Sequence, residues 1–250
     1  MTKKIGNFLF ILLLTIAIIP AVSVEAQASK TVNSQSELKA ALDDTSITTI
    51  VLGQDIETTE KINIMRPVTI DGANHTIRYV GTFGSGQSSS NTVWGGIYVL
   101  QVYKTDVTIR NIKLTGGNAA LLINGGTATF EGTIDVSGNG FGGIELGQGS
   151  GVDTVPQLVV SDNATIINTT ESADRPTIWV PEDTDKAILE LGNATFELQA
   201  GEELTMEEIN ELAESTENPE TNDTTIWQLT IMTFMVALIG YFVRKVAMDD

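Results

Sequence analysis

The sequence predicts an all-β solenoid, with short strands wound into stacked coils and one helix closing the first coil. Three observations predict it. Four segments repeat one alternating apolar pattern at the same offset. A second set of short strands follows them, with aliphatic residues in two fixed columns. Asn or Gly then falls at the corner after each, where a left-handed backbone is tolerated. Residues 30–200 are rich in Gly, Thr, Val, Ile and Asn and carry a single good helical pattern.

In chain order, the first segment is a leader. Lys3 and Lys4 precede an apolar run from Phe8 to Ile19, then Pro20 and Ala26-Gln27-Ala28. A charged start, an apolar middle and a small-residue end describe a secretory signal peptide over 1–28, cut after Ala28. At 250 residues, the rest suggests one domain, 29–200, with accessories. The helix is expected over 36–42, with Ser34-Gln35-Ser36-Glu37 as its capping box.

The strands follow. Stacking "GGIYVL" (95–100), "AALLIN" (119–124), "GGIELG" (142–147) and "PTIWVP" (176–181) aligns Ile97, Leu121, Ile144 and Ile178, and then Val99, Ile123, Leu146 and Val180. Side chains alternate along a strand, so both columns are expected to point inward. The column between them, Tyr98, Leu122, Glu145 and Trp179, is expected to point outward. The second set, "VTID" (68–71), "VTIR" (107–110), "ATFE" (128–131), "LVVS" (158–161) and "LELG" (189–192), aligns Val68, Val107, Ala128, Leu158 and Leu189 inside. Ile70, Ile109, Phe130, Val160 and Leu191 form its second inward column. Its spacings are 39, 21, 30 and 31 residues, with the insert 81–91 in the longest gap, and imply five to seven coils. Asn74, Asn111, Gly132, Asn163 and Asn193 take the corners, and a third strand starts in "ATII" (164–167) and "ATFEL" (194–198). The recurring Asn-Ala-Thr is thereby a turn followed by a strand, without glycosylation.

The formal charge is −18, and residues 29–221 carry all of it, with 10 Lys and Arg against 28 Asp and Glu. Such a surface repels nucleic-acid phosphates, anionic lipid and polyanionic glycans. Cysteine is absent, so an exported domain must rely on its core, which fits a bacterial exterior. Residues 201–225 read as an acidic spacer whose Leu204, Ile209 and Leu212 allow one short helix, capped by Thr205-Met206-Glu207-Glu208. The apolar run 226–243, about 27 Å as a helix, just spans a bilayer, and Arg244-Lys245 opens a cytoplasmic tail, 244–250.

Asn218-Pro219-Glu220-Thr221-Asn222 stands just before that run. Motif, span and basic stop together resemble the cell-wall sorting signals of Gram-positive bacteria, in a variant N-P-x-T-N form. The tail departs from that pattern in ending Met248-Asp249-Asp250. The resemblance implies a sortase that joins Thr221 to peptidoglycan. A plain single-span membrane anchor is the alternative. The body, through "SELKAAL…TTIVLGQDI…INIMRPVTIDGANHTI", resembles the right-handed parallel β-helix of pectin-lyase-like surface proteins over residues 31–200. That resemblance implies a fold and leaves activity open, because lyases, hydrolases and inert adhesins share it.

Two groups of residues are candidate sites. Lyases of this fold hold calcium on an exterior acidic sheet and use Arg or Lys as base. The outward line Asp71, Arg110, Glu131 offers acid, base and acid, and equally a cross-strand charge ladder. The clustered aspartates of a polysaccharide lyase or polygalacturonase are missing. Tyr98, Leu122, Glu145 and Trp179, extended by Trp94 and Phe83, offer aromatic faces and a carboxylate for sugar rings, unless loops bury them. His75 is the single histidine, and no Gly-rich stretch has phosphate-loop spacing, so neither metal nor cofactor is expected. The expected function is a display module on the cell surface, held at the wall or membrane, that binds a glycan or protein ligand without catalysis. A polysaccharide lyase or hydrolase, and a structural envelope spacer, are the alternatives.

Overall fold

The computed structural model describes residues 28–84, 96–149, 151–172 and 175–217. The leader, Trp94, the sorting motif and the apolar run 226–243 lie outside them. Among the described residues, no helix is long and apolar enough to cross a membrane.

Strand β1 (Ala28–Val32) leads into α1 (Gln35–Asp43), close to the helix expected. Ser34 Oγ accepts the Glu37 N–H at 3.2 Å, and Glu37 Oε2 accepts the Asn33 N–H at 2.7 Å, so the capping box closes one residue wider than usual. Leu38, Ala41 and Leu42 turn inward and cover the start of the core. The helix end is held from the next coil. The Arg66 guanidinium donates to the carbonyls of Ala41, Leu42 and Asp44 at 2.7–2.8 Å, satisfying oxygens that a helix leaves unpaired.

The chain then winds three strands per coil. The second coil holds β2 (Ile47–Leu52), β3 (Ile56–Thr58) and β4 (Ile62–Ile64), and the third opens with β5 (Val68–Asp71) and β6 (Thr76–Tyr79). Two long bent strands, β7 (Tyr98–Thr115) and β8 (Ala119–Asp135), run through all three walls. After them come β9 (Gly142–Gly147), β10 (Pro156–Val160), β11 (Thr165–Ile167), β12 (Ile178–Trp179) and β13 (Lys186–Leu191). Parallel pairing stacks the coils into three ladders. The first runs β1-β2-β5-β7-β8-β10-β13, the second links β3, β6, β7, β8 and β11, and the third links β4, β7, β8, β9 and β12. This is a parallel β-helix-like domain.

The second strand set pairs as the sequence predicts. Val68 faces Val107, which faces Ala128, then Leu158 and Leu189, and Ile70 begins the parallel column through Ile109, Phe130, Val160 and Leu191. Both line one continuous core whose bulkiest fully buried side chain is Phe130, with Val160 half-buried against it. Each such aliphatic residue contributes about 1.5–3 kcal/mol by leaving water.

The first set needs a correction. Leu121, Ile144 and Ile178 align as expected, but their neighbour in β7 is Leu100 and not Ile97. One offset of 21 residues joins β7 to β8 from Tyr98 (opposite Ala119) to Arg110 (opposite Glu131). No register shift falls between Leu100 and Val107, so the offset set at Val107 fixes Leu100 opposite Leu121; the shift in this pair comes after Arg110, where Ile112 faces Ile134. Val99 and Leu100 both enter the core, as do Ala120 and Leu121, which leaves Tyr98, Ala119 and Leu122 as a separate outer cluster.

Two corners also differ. Asn74, Asn111 and Gly132 have positive φ (67°, 49° and 61°), but Asn163 and Asn193 do not, and Gly192 (φ 57°) serves at the last corner. There the chain reverses. β14 (Ala194–Gln199) is antiparallel to β13, and β15 (Glu203–Leu204) is antiparallel to β12, so "ATFEL" closes a hairpin and continues no coil. Helix α2 (Met206–Glu217) follows, with Thr205 Oγ1 accepting the Glu208 N–H at 3.2 Å and Glu208 Oε2 accepting the Thr205 N–H at 2.8 Å. Leu204 and Ile209 join the core, and Met206 and Leu212 pack against it. Residues 203–217, expected in a spacer, therefore close the C-terminal end of the domain.

Candidate functional site

The motif "RPVTIDGANHTI" is taken up by structure. Arg66 caps α1. Asp71 Oδ1 accepts the Ala73 N–H at 2.9 Å. A Cβ on Gly72 would lie 2.3 Å from the Asn111 carbonyl oxygen and 2.6 Å from Ile112 Cβ, so that corner requires glycine. His75 Nδ1 sits 3.4 Å from Asp55 Oδ1 on the surface.

The acid–Arg–acid line is in register, Asp71 beside Arg110 and Arg110 beside Glu131. Arg110 Nε donates to Asp71 Oδ2 at 2.9 Å, and Arg110 Nη1 lies 3.6 Å from Glu131 Oε2. The cation is shared between two carboxylates and held in place, which suits a charge ladder and not a free base. Beside it, in the second ladder, Lys113 Nζ donates to Asp135 Oδ2 at 2.7 Å. Among the described residues, no group of three or more acidic or histidine side chains is placed to hold a metal.

The third ladder carries the other candidates. Register makes its outward column Asn63, Gln101, Leu122, Glu145, Trp179 and Glu203. Tyr98, expected in that column, stands at the start of β7, opposite Ala119, and Gln101 of the same strand takes its place. The Tyr98 hydroxyl nonetheless reaches Glu145 Oε2 at 2.5 Å, and its ring packs with Leu122. The structure thus brings Tyr98, Leu122 and Glu145 together and places Trp179 on the next rung. Trp94 lies outside the described residues, and Phe83 packs at right angles on Tyr79, with ring centroids 5.3 Å apart.

This face is largely closed. Gln101, Leu122 and Glu145 are 6%, 7% and 5% exposed. A buried carboxylate needs compensation. Tyr98 supplies a short hydrogen bond, and Lys61 supplies charge. Its ammonium stands 5.7 Å from the Tyr98 ring centroid, and burial lowers its pKa while the nearby Glu145 charge raises it. Gly147 makes room. A Cβ there would lie 3.1 Å from Glu145 Oε1. Among the described residues, the buried Gln101 amide oxygen has no hydrogen-bond partner.

Trp179 is half-buried, between Glu145 and Glu203 in the column. Phe141 meets it edge to face, with centroids 4.8 Å apart and planes at 65°. Gly142 and Gly143 permit this, because a Cβ on either would come within 2.6 Å of the Pro176 or Thr177 carbonyl oxygen. Three groups of this site escaped sequence reasoning: Lys61, Phe141 and Glu203. Phe141 precedes the aligned "GGIELG" and carried a usable signal, an aromatic at a coil corner. Glu203 carried none, since its neighbour depends on the chain reversal.

Compared with known families, residues 29–141 match the model of one described as "Putative pectate lyase-like adhesive domain". No curated protein and no solved structure matches the chain. The family match bears out adhesion as the expected role.

Proposed function

We propose that this chain is a surface adhesin: a short right-handed β-helix, held at the cell envelope by its C-terminal tail, that binds a surface glycan or protein. The match of residues 29–141 to an adhesive domain carries the reading. Two features support it. The parallel ladders make rigid, regularly spaced faces. Arg110, the candidate base of a lyase, is held between Asp71 and Glu131. Thr221, in the sorting motif, is the proposed point of linkage to peptidoglycan through a sortase.

Attachment tests the reading. Non-adherent cells displaying the full chain should gain attachment to immobilised glycans or matrix proteins over cells carrying the empty vector. No gain on any surface sinks it. Mass spectrometry of digested cell walls then examines the anchor. Peptidoglycan fragments on Thr221 support wall linkage, and an intact C-terminus recovered from membranes replaces it with a membrane anchor.

A further inference from the structure

The charge of the domain is lopsided. Residues 29–170 hold 13 acidic and 8 basic residues, a net −5, whereas residues 171–217 hold 14 acidic and 2 basic, a net −12. Trp179 belongs to that acidic segment, and Phe141 packs on it from the preceding coil; both are half-buried. On the strand backbone Trp179 lies between two carboxylate-bearing residues, Glu145 on one side and exposed Glu203 on the other. Strands in a ladder are about 4.8 Å apart, so the exposed Glu203 carboxylate is within reach of a ring bound at Trp179, whereas Glu145 is buried. An aromatic face takes the apolar side of a pyranose, and it also attracts a cation. Carboxylates take hydroxyl and ammonium donors. The surrounding field draws in positive charge and turns away uronate or sulfate.

We propose that Trp179, Phe141 and Glu203 form a subsite for a hexosamine unit with a free ammonium group, within a cationic glycan. The subsite rests on the adhesive reading above and gives it a ligand class. Trp179 and Phe141 hold the ring, and Glu203 pairs with the ammonium. Glu145 stays beneath, tied to Tyr98 and offset by the Lys61 ammonium.

The test is binding of the full-length protein to three immobilised polymers: glucosamine oligomers, the same oligomers fully N-acetylated, and polygalacturonate. The wild type should prefer the free amine over the acetylated form by about tenfold, the scale of one desolvated cation–aromatic contact. Trp179→Ala should lower binding about tenfold at unchanged net charge, and Trp179→Phe should keep most of it. Glu203→Gln should erase the preference for the free amine and leave binding to the acetylated oligomer intact. Because Glu203 is exposed, that variant tests the subsite even if Trp179→Ala fails to fold. Equal binding by wild type and Trp179→Ala, or a preference for polygalacturonate, overturns the proposal. Attachment to other surfaces with no binding to either glucosamine polymer overturns the subsite and leaves adhesion standing. No attachment anywhere overturns both.

Discussion

Two outward columns of one solenoid treat charge in opposite ways. In the first ladder, Asp71, Arg110 and Glu131 sit on successive rungs, and register alone sets each acid beside the base. The line stays partly in water, with side chains 18–37% exposed. In the third ladder, Glu145 is 5% exposed and its rung neighbours are Leu122 and Trp179. Its compensation comes from outside the column, from the Tyr98 hydroxyl and the Lys61 ammonium. A column that register neutralises is a surface device. A column that must recruit tertiary partners is costly to build, and a site is where such a cost is tolerated.

Both columns hang on the same core, so the largest effect is to break it. Ile144 is 2% exposed, between Leu121 and Ile178. Ile144→Asp should cost more than about 4 kcal/mol and abolish the cooperative melt seen by circular dichroism. A variant that melts like the wild type would show the inward assignment to be wrong. The next effect separates the columns. Glu145→Ala strands the Tyr98 hydroxyl and the half-buried Lys61, and should cost about 2–3 kcal/mol. Glu131→Ala, in the exposed line, should cost less than about 1 kcal/mol. Equal losses in urea unfolding would erase the contrast.

The sequence makes much of this legible, for a physical reason. Inward columns obey a period of two and repeat, so Val68 to Leu189 can be aligned by eye. The capping boxes of both helices are local, and they hold. What depends on long-range geometry is not legible. "GGIYVL" offers aliphatics at Ile97, Val99 and Leu100, and only pairing along the whole of β7 decides which of them faces Leu121. Asn-Ala-Thr looks the same at 163 and 193, yet one leads to a parallel strand and the other to an antiparallel one. The outward aromatic and acidic residues could be named, but their burial could not, because no local pattern reports what covers a face.

Acid titration gives a smaller effect, with opposite signs at two positions. Burial raises the Asp135 pKa, but the Lys113 ammonium and the Ser137 hydrogen bonds outweigh it and hold the carboxyl below its usual range. A depressed acid stabilises the fold above its unfolded pKa, near 3.9, and that stability is lost as pH falls through the folded value. Asp135→Asn should therefore melt lower than the wild type at pH 7, with a gap that closes in acid. Glu202 is the reverse. Burial raises its pKa, the Gln199 N–H partly offsets this, and the Glu208 charge adds to it. Its ionised form strains the fold, so stability falls as pH rises from about 4.3 through the folded value. Glu202→Gln should melt higher than the wild type at pH 7 and level with it below about pH 4. Melting curves from pH 3 to 8 check both, and gaps of the same sign would refute the pair.

The smallest effect is expected at Arg110, and it bears most directly on the contrast between the columns. Arg110→Ala leaves Asp71 and Glu131 two rungs apart without their shared cation. Both still reach water, and Asp71 keeps the Ala73 N–H. The expected cost is therefore under about 1 kcal/mol, and high salt should shrink it further. Double-mutant cycles divide that cost. Coupling to Asp71, bonded at 2.9 Å, should exceed coupling to Glu131, at 3.6 Å, and both should be a few tenths of a kcal/mol. A cost above about 2 kcal/mol that ignores salt would mean that Arg110 is a desolvated partner, as Lys61 is on the other face. The two columns would then belong to one class, and the first ladder would have an equal claim to be the binding face.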